Sequence, residues 1–172
     1  MENMQSKGLS MKIPQFGALA ELEITLDKTM EAESRLLEAK TVNPATYADL
    51  EYTFNESYRE LKRAYAGVSY RLAKAEEAVE SARATVLLDK YPEFVRLKPK
   101  NYDNADIRKS FIQRDEDYLK ATDYRDQVKA IEMLIEGRIK VMERTTTYMK
   151  KQIEIILRAG SMGAMYSTIG KK

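Results

Sequence analysis

Aromatic rings and cations are concentrated in the stretch "YPEFVRLKPKNY", residues 91 to 102. Flat rings stack on nucleobases and cations neutralise phosphates, and proteins that hold single strands without sequence preference combine the two. The stretch therefore predicts a contact with single-stranded nucleic acid. The side chains concerned are Tyr91, Phe94, Tyr102, Arg96, Lys98 and Lys100.

The same stretch also has a purely structural interpretation. Pro92 and Pro99 stiffen a turn, because the proline ring fixes the φ angle. The apolar side chains of Phe94, Val95 and Leu97 would then close the open end of a helical hairpin. The two interpretations are compatible, and the sequence leaves both open.

A second basic set lies in the C-terminal part of the chain. Residues 138 to 172 hold eight basic and two acidic side chains, whereas residues 20 to 61 hold ten acidic and four basic ones. Such segments attract each other within a molecule or between subunits, unless they form two separate solvated faces. The cations do not all share one helical face, so a continuous groove for nucleic acid would require several subunits side by side. They are Arg138, Lys140, Arg144, Lys150, Lys151 and Arg158.

Catalytic chemistry has little support in the composition. The chain has no histidine and no cysteine, which removes the commonest general base, the commonest transition-metal ligand and every thiolate site. The densest carboxylate group is Asp115, Glu116 and Asp117, but consecutive helical positions point in different directions and do not converge on one metal ion. We therefore expect no enzyme activity, no cofactor and no metal site. An enzyme with carboxylate-bound magnesium is the weakest alternative.

Long helices must position these residues, because 172 residues include only four prolines and seven glycines. Apolar residues from Tyr47 to Val86 recur at steps of three and four, which is the seam of a coiled coil. A similar but interrupted seam runs from Ile107 to Ile156, with Arg114 and Thr146 among the interruptions. Neither helix buries its seam alone. The pattern therefore predicts an antiparallel pair.

The predicted fold is all-α: a long antiparallel, coiled-coil-like helical hairpin with an additional N-terminal helix, which assembles into homo-oligomers. Asn43 is expected to cap the second helix ahead of Pro44, Asp103 or Asp106 to cap the third, and Gly160 to end it. The predicted helices span residues 18–40, 44–89 and 104–159, with a connecting loop at 90–103. They make a single helical domain over 18–160 between a flexible arm, 1–17, and a flexible tail, 161–172.

No apolar run approaches the roughly 18 residues of a membrane span, and the first residues lack the apolar core of a signal peptide. We therefore expect a cytoplasmic protein that does not enter the membrane.

Two stretches carry a resemblance to a known family. They are "YRELKRAYAGVSYRLAKAEEAVESARATVLLDKY" and "IRKSFIQRDEDYLKATDYRDQVKAIEMLIEGRIKVMERTTTYMKKQIEII". The second has a charged start with Asp, a Tyr-rich middle, an apolar and small-residue segment and a basic end. In this order of features the chain resembles the UvsY family of phage recombination mediators.

The resemblance implies an all-helical, ring-like homo-oligomer that binds single-stranded DNA through basic residues. It also implies partners: a RecA-like recombinase, which the protein loads, and the single-strand binding protein that coats the DNA. Family members carry a Lys-x-Arg pair late in the first hairpin helix. The matching place here is "SAR", which keeps Arg83 but has Ser81 in place of the lysine.

A different class of function remains open. A structural or adaptor coiled-coil protein would use the same seams to assemble with itself or with another helical partner. Such a protein would form oligomers and would have no affinity for nucleic acid.

Overall fold

In a computed structural model of the protein, the described residues are 10–98 and 103–169, with side chains described as far as Gly160. The all-α class with a long helical hairpin, predicted from the sequence, is confirmed. Among the described residues the elements, in chain order, are β1 (Ser10–Ile13), β2 (Leu22–Thr25), α1 (Asp27–Ser34), α2 (Leu36–Lys40), α3 (Pro44–Thr85), a π-helical turn (Val86–Lys90), α4 (Tyr91–Arg96), α5 (Ala105–Ile112) and α6 (Glu116–Ile169).

The chain forms two compact units where the sequence predicts one domain over 18–160. Unit 1 comprises the described residues up to Gln15, then Ala20–Ala64, and the residues from Ile135 onward; unit 2 comprises Phe16–Leu19 and Tyr65–Leu134. Both α3 and α6 contribute to each unit. Because a helix rises about 1.5 Å per residue, side chains far apart along one of these long helices are too distant to touch. The two parts of each helix therefore pack in different units.

A β-hairpin replaces part of the predicted arm 1–17 and of the predicted helix 18–40. Residues Ser10–Ile13 pair antiparallel with Leu22–Thr25, so that Ile13 lies opposite Leu22. Gly17 has a φ of +55°, which glycine adopts without strain, in the turn between the strands. The pair buries Ile13 and Ile24. The helical prediction is therefore wrong before Asp27, and the remaining helical residues form α1 and α2, separated at Arg35.

The predicted cap and seam of α3 are confirmed. The Asn43 side-chain oxygen accepts hydrogen bonds from the backbone N–H groups of Ala45 at 2.9 Å and of Thr46 at 3.1 Å. Both N–H groups belong to the first turn of α3, where no preceding helical carbonyl can accept from them. The seam residues that α3 and the π-helical turn bury completely or nearly so are Leu50, Phe54, Leu61, Val68, Ala75, Val79 and Val86.

The predicted loop 90–103 is helical over most of its described length. The helix continues from Thr85 through the π-helical turn into α4, which ends at Arg96. Pro92 lies in the first turn of α4, where a proline needs no intrahelical partner for its missing N–H. The wider turn before it separates the proline ring from the carbonyl that an ordinary α-helix would place against it. Pro99, Lys100 and Tyr102 lie outside the described residues.

The predicted helix 104–159 is two helices. Asn104, and neither Asp103 nor Asp106, caps α5: its side-chain oxygen accepts a 3.0 Å hydrogen bond from the Ile107 N–H. The helix is then interrupted, and a new one begins because Asp115 caps α6: its carboxylate accepts 3.1 Å hydrogen bonds from the backbone N–H groups of Asp117 and Tyr118.

At its other end α6 passes beyond the predicted stop at 159 and covers residues 161–169 of the predicted flexible tail. Among the described residues only Gly17 has a positive φ, so Gly160 does not take the left-handed conformation that ends a helix. The segment that follows includes alanine and two methionines, which favour continued helix.

Candidate nucleic-acid interface

Three aromatic rings pack together in unit 2. The Tyr91 and Phe111 ring centroids are 5.4 Å apart at an edge-to-face angle, and the Phe94 and Phe111 centroids are 4.8 Å apart. Tyr91 is buried, whereas Phe94 and Phe111 keep part of their surface exposed. The arrangement supports the structural interpretation for Tyr91. Its faces are occupied by protein and are not available to a base.

Asp103 fixes the polar end of Tyr91. Its carboxylate accepts a 2.7 Å hydrogen bond from the Tyr91 hydroxyl and two from the Arg108 guanidinium, at 2.8 and 2.7 Å. The bonds from Arg108, and then the bond from Tyr91, lower the pKa of Asp103 to about 2. This network ties the start of α5 to α4.

Phe94 and Phe111 line an open pocket of about 400 Å³ together with Ile107, Ser110, Arg114 and Asp115. Arg114 is exposed, and its guanidinium makes no ion pair with any residue that the structure describes. Asp115 is already neutralised, because Lys90 donates to it at 2.5 Å and thereby lowers its pKa. The pocket therefore places two aromatic rings beside one cation that has no ion pair with a described residue, a combination that suits a nucleobase and its phosphate.

The predicted cations of the aromatic stretch lie at the surface of the same unit. Arg96 and Lys98 are exposed, and the Lys98 ammonium is 5.3 Å from the centre of the Phe94 ring. Lys100 was also predicted to bind nucleic acid and lies outside the described residues. Residues 83 to 114 hold eight basic and four acidic side chains, so this part of unit 2 has a basic excess.

Arg83 lines a second cleft of unit 2, of about 510 Å³, with Arg108, Lys109 and the apolar side chains of Leu87 and Ile112. Its guanidinium is 3.8 Å from Glu80 and remains exposed. The sequence prediction missed Arg108, Lys109, Phe111 and Arg114 as site residues. One signal was present, since Arg114 interrupts the apolar seam at a position four residues from Ser110 and three from Phe111.

The C-terminal basic set lies in unit 1, and three of the five predicted site residues there form ion pairs with the acidic segment or with α6 itself. Arg138 is 3.3 Å from Glu33, an ionic contact without hydrogen-bond geometry, and Lys150 is 3.4 Å from Glu51. Lys140 pairs with Glu136, one helical turn away, at 2.6 Å. The opposite charges of the two segments thus meet within one chain.

Arg144 and Lys151 are the exposed members of this set without an ion pair to any described residue. They are seven residues apart on α6 and so share one side of that helix. The predicted site residues therefore fall into a group in unit 2, with Arg83, Tyr91, Phe94, Arg96 and Lys98, and a group in unit 1, with Arg138, Lys140, Arg144, Lys150 and Lys151.

Over the described part of the chain, no three acidic side chains converge in a way that could hold a metal ion. In the same residues no helix is both long and apolar enough to cross a membrane.

No protein family matches this sequence, and no curated protein and no solved structure matches it either.

Proposed function

We propose that the protein is a non-enzymatic single-stranded DNA-binding protein that acts as a recombination mediator. The observation that carries the proposal is the unit 2 pocket, in which Phe94 and Phe111 lie beside Arg114, a cation without an ion pair to any described residue. Arg96 and Lys98 add exposed positive charge close by in the chain. Rings and cations in this combination bind single strands by stacking and by neutralising phosphates.

The biological role comes from the resemblance to the UvsY family of phage mediators. By that resemblance the protein helps to assemble a RecA-like recombinase on DNA coated with single-strand binding protein, in the cytoplasm of an infected bacterium. Four cations of each subunit, Lys90, Arg108, Arg138 and Lys150, are already paired within the chain, which reduces the positive charge that one subunit presents to DNA. Assembly into a homo-oligomer would multiply these weak contacts into a useful affinity.

The first experiment is a titration of a fluorescent single-stranded oligonucleotide, followed by anisotropy at several salt concentrations, with the duplex of the same sequence for comparison. We expect preference for the single strand and a slope of log affinity against log salt of about −0.7 per neutralised phosphate. The absence of binding at low salt would overturn the proposal.

A double substitution then assigns the surface. Arg96→Ala with Lys98→Ala removes two exposed cations of unit 2 and should weaken binding and flatten the salt dependence. The matched control is Lys62→Ala with Arg63→Ala, which removes two exposed cations of α3 in unit 1. Equal effects of the two pairs would show that only net charge matters, and the pocket would then not be the site.

A structural or adaptor role is the second candidate, because α6 exposes apolar side chains in unit 1. Val141, Tyr148 and Ile155 are each at least two-fifths exposed and follow one another at intervals of seven residues, along one side of the helix. Such a stripe is typical of helix–helix contacts. Oligomers or partner complexes without any affinity for DNA would favour this candidate.

A further inference from the structure

An apolar groove lies in unit 1, apart from the residues proposed to bind DNA in unit 2. Its volume is about 770 Å³, and it is formed by the end of α1, by α2 and by one side of α6. Leu36, Leu37 and Ala39 line it from α2, and Thr145 and Tyr148 from α6. Leu37 is 73% exposed and Tyr148 is 42% exposed, so two large apolar side chains remain in contact with water. Val141, also exposed, lies one turn of α6 before Thr145.

The charges around the groove are predominantly positive. Lys40 and Arg144 line it, are exposed, and make no ion pair with any described residue. The carboxylate that lines it, Glu33, is already paired with Arg138. An occupant therefore meets an apolar floor and two available cations, and a negatively charged occupant is favoured over a positively charged one.

The acidic segment of a second copy of this chain is poorly suited to provide that negative charge. The segment from residue 20 to 61 is the acidic one, and nearly all of its carboxylates already have a partner within the chain. Glu38 and Asp49 bind Arg35, Glu51 binds Lys150, and Glu60 binds the start of α1. Asp27 has no side-chain partner among the described residues. The other carboxylates of the segment do have partners, and they are Glu21, Glu23, Glu31, Glu33 and Glu56.

We propose that this groove docks an acidic amphipathic segment of another protein. Leucine-like side chains of the segment would lie on Leu37 and Tyr148, and its carboxylates would pair with Lys40 and Arg144. This is the helix-in-groove mode of recognition, in which apolar anchors give affinity and charges at the edge give selectivity. The groove shares Arg144 with the cations that the sequence predicts to bind nucleic acid, but it lies in unit 1, whereas the pocket of the proposed function lies in unit 2. The proposal therefore goes beyond the proposed function.

The probe is a fluorescein-labelled helical peptide of roughly 18 residues, with leucines at helical spacing of three and four and glutamates elsewhere. A second peptide has lysine in place of every glutamate, and a third has the composition of the first in shuffled order. The full-length protein should bind the first peptide and neither of the others. Equal binding of the lysine peptide, or no binding of any peptide, would overturn the proposal.

Two variants locate the contact. Leu37→Ser and Arg144→Glu should each weaken binding of the acidic peptide about tenfold, because each removes an anchor or reverses a charge. Both residues are exposed, so thermal unfolding should be unchanged. The control is Arg63→Glu, the same charge reversal on an exposed position of α3 in the same unit. Equal weakening in the control would place the peptide elsewhere and overturn the assignment.

Sedimentation velocity of the protein without peptide tests whether a second copy of the chain occupies the groove instead. If Leu37→Ser leaves the oligomeric state unchanged while it weakens peptide binding, the groove is a site for a separate protein. If the wild type forms oligomers that Leu37→Ser dissociates, the groove is occupied by a second copy, and the proposal is wrong.

Discussion

Glu60 of α3 caps α1 across 31 residues of sequence. Its Oε2 atom accepts hydrogen bonds from both the backbone N–H and the hydroxyl of Thr29, each at 2.8 Å, and its Oε1 atom accepts from the Lys28 N–H at 3.1 Å. The residue that precedes α1, Leu26, has no side chain that could cap it. The first turn of α1 therefore depends on a carboxylate from another helix.

Replacement of Glu60 by alanine should lower the free energy of unfolding by about 1–3 kcal/mol, because it leaves partly buried donors of Thr29 without a partner. Urea unfolding followed by circular dichroism measures this change. Glu77→Ala is the control, since Glu77 is exposed and pairs only with Lys74 one turn away; its effect should be below about 0.5 kcal/mol. Similar losses in both variants would contradict the capping role.

Asp103 should make the protein sensitive to acid. Because Arg108 and Tyr91 lower its pKa in the folded state to about 2, against about 3.9 in the unfolded chain, its contribution to stability is complete above about pH 5. The contribution is lost as the pH falls from about 5 through 2, as the carboxylate becomes protonated first in the unfolded and then in the folded chain. Asp103→Asn should be less stable than the wild type at pH 7 and should approach it at pH 2. A stability difference independent of pH would show that Asp103 does not titrate in this way.

Asp115 has two separable roles, one as the cap of α6 and one as the partner of Lys90. Asp115→Ala removes both and should cost about 1–2 kcal/mol, whereas Asp115→Asn keeps an oxygen for the cap and should cost less. Lys90→Met leaves the cap in place and removes the ion pairs of Lys90 with Asp115 and Asp117, so the loss in stability should stay below about 1 kcal/mol. Thermal unfolding of the three variants ranks their losses of stability. A loss in Lys90→Met as large as that in Asp115→Ala would contradict the separate role of Asp115 as a cap.

The long helices were predictable because their apolar spacing is local and repeats over many turns, as in Leu61, Val68 and Ala75. The β-hairpin was not, because Leu19, Leu22 and Leu26 fit a helical period as well as Leu22, Ile24 and Leu26 fit an alternating one. Pairing with Ser10–Ile13, a contact that spacing alone does not reveal, decides between them.

The candidate site was predictable in composition but not in geometry. The rings and cations after Lys90 are visible in the sequence itself. The sequence does not indicate, however, that Phe111 packs against Tyr91 or that the Tyr91 hydroxyl donates to Asp103. Phe111 reaches the pocket only because α5 folds back onto α4. Arg114 interrupts the apolar seam in the sequence, and in the structure it lies between α5 and α6 and lines the pocket.

Arg114 is the cation on which the pocket should depend most. Arg114→Ala should reduce the affinity for single-stranded DNA and make the salt slope shallower by about 0.7, the value for one neutralised phosphate. Because the side chain is exposed and unpaired among the described residues, the stability should not change. Lys129→Ala provides the matched control, since Lys129 is an exposed cation on α6 in the same unit and lies outside the pocket.

Phe94 tests the stacking half of the same pocket. Phe94→Leu keeps an apolar side chain against Tyr91 and Phe111 but removes the flat face on which a base would stack, a contact worth about 1–3 kcal/mol. The variant should therefore bind single-stranded DNA more weakly with an unchanged salt slope, because no phosphate contact is lost. Anisotropy titrations at several salt concentrations separate the two effects. Unchanged affinity in the variant would assign binding to charge alone and exclude a base stacked on Phe94.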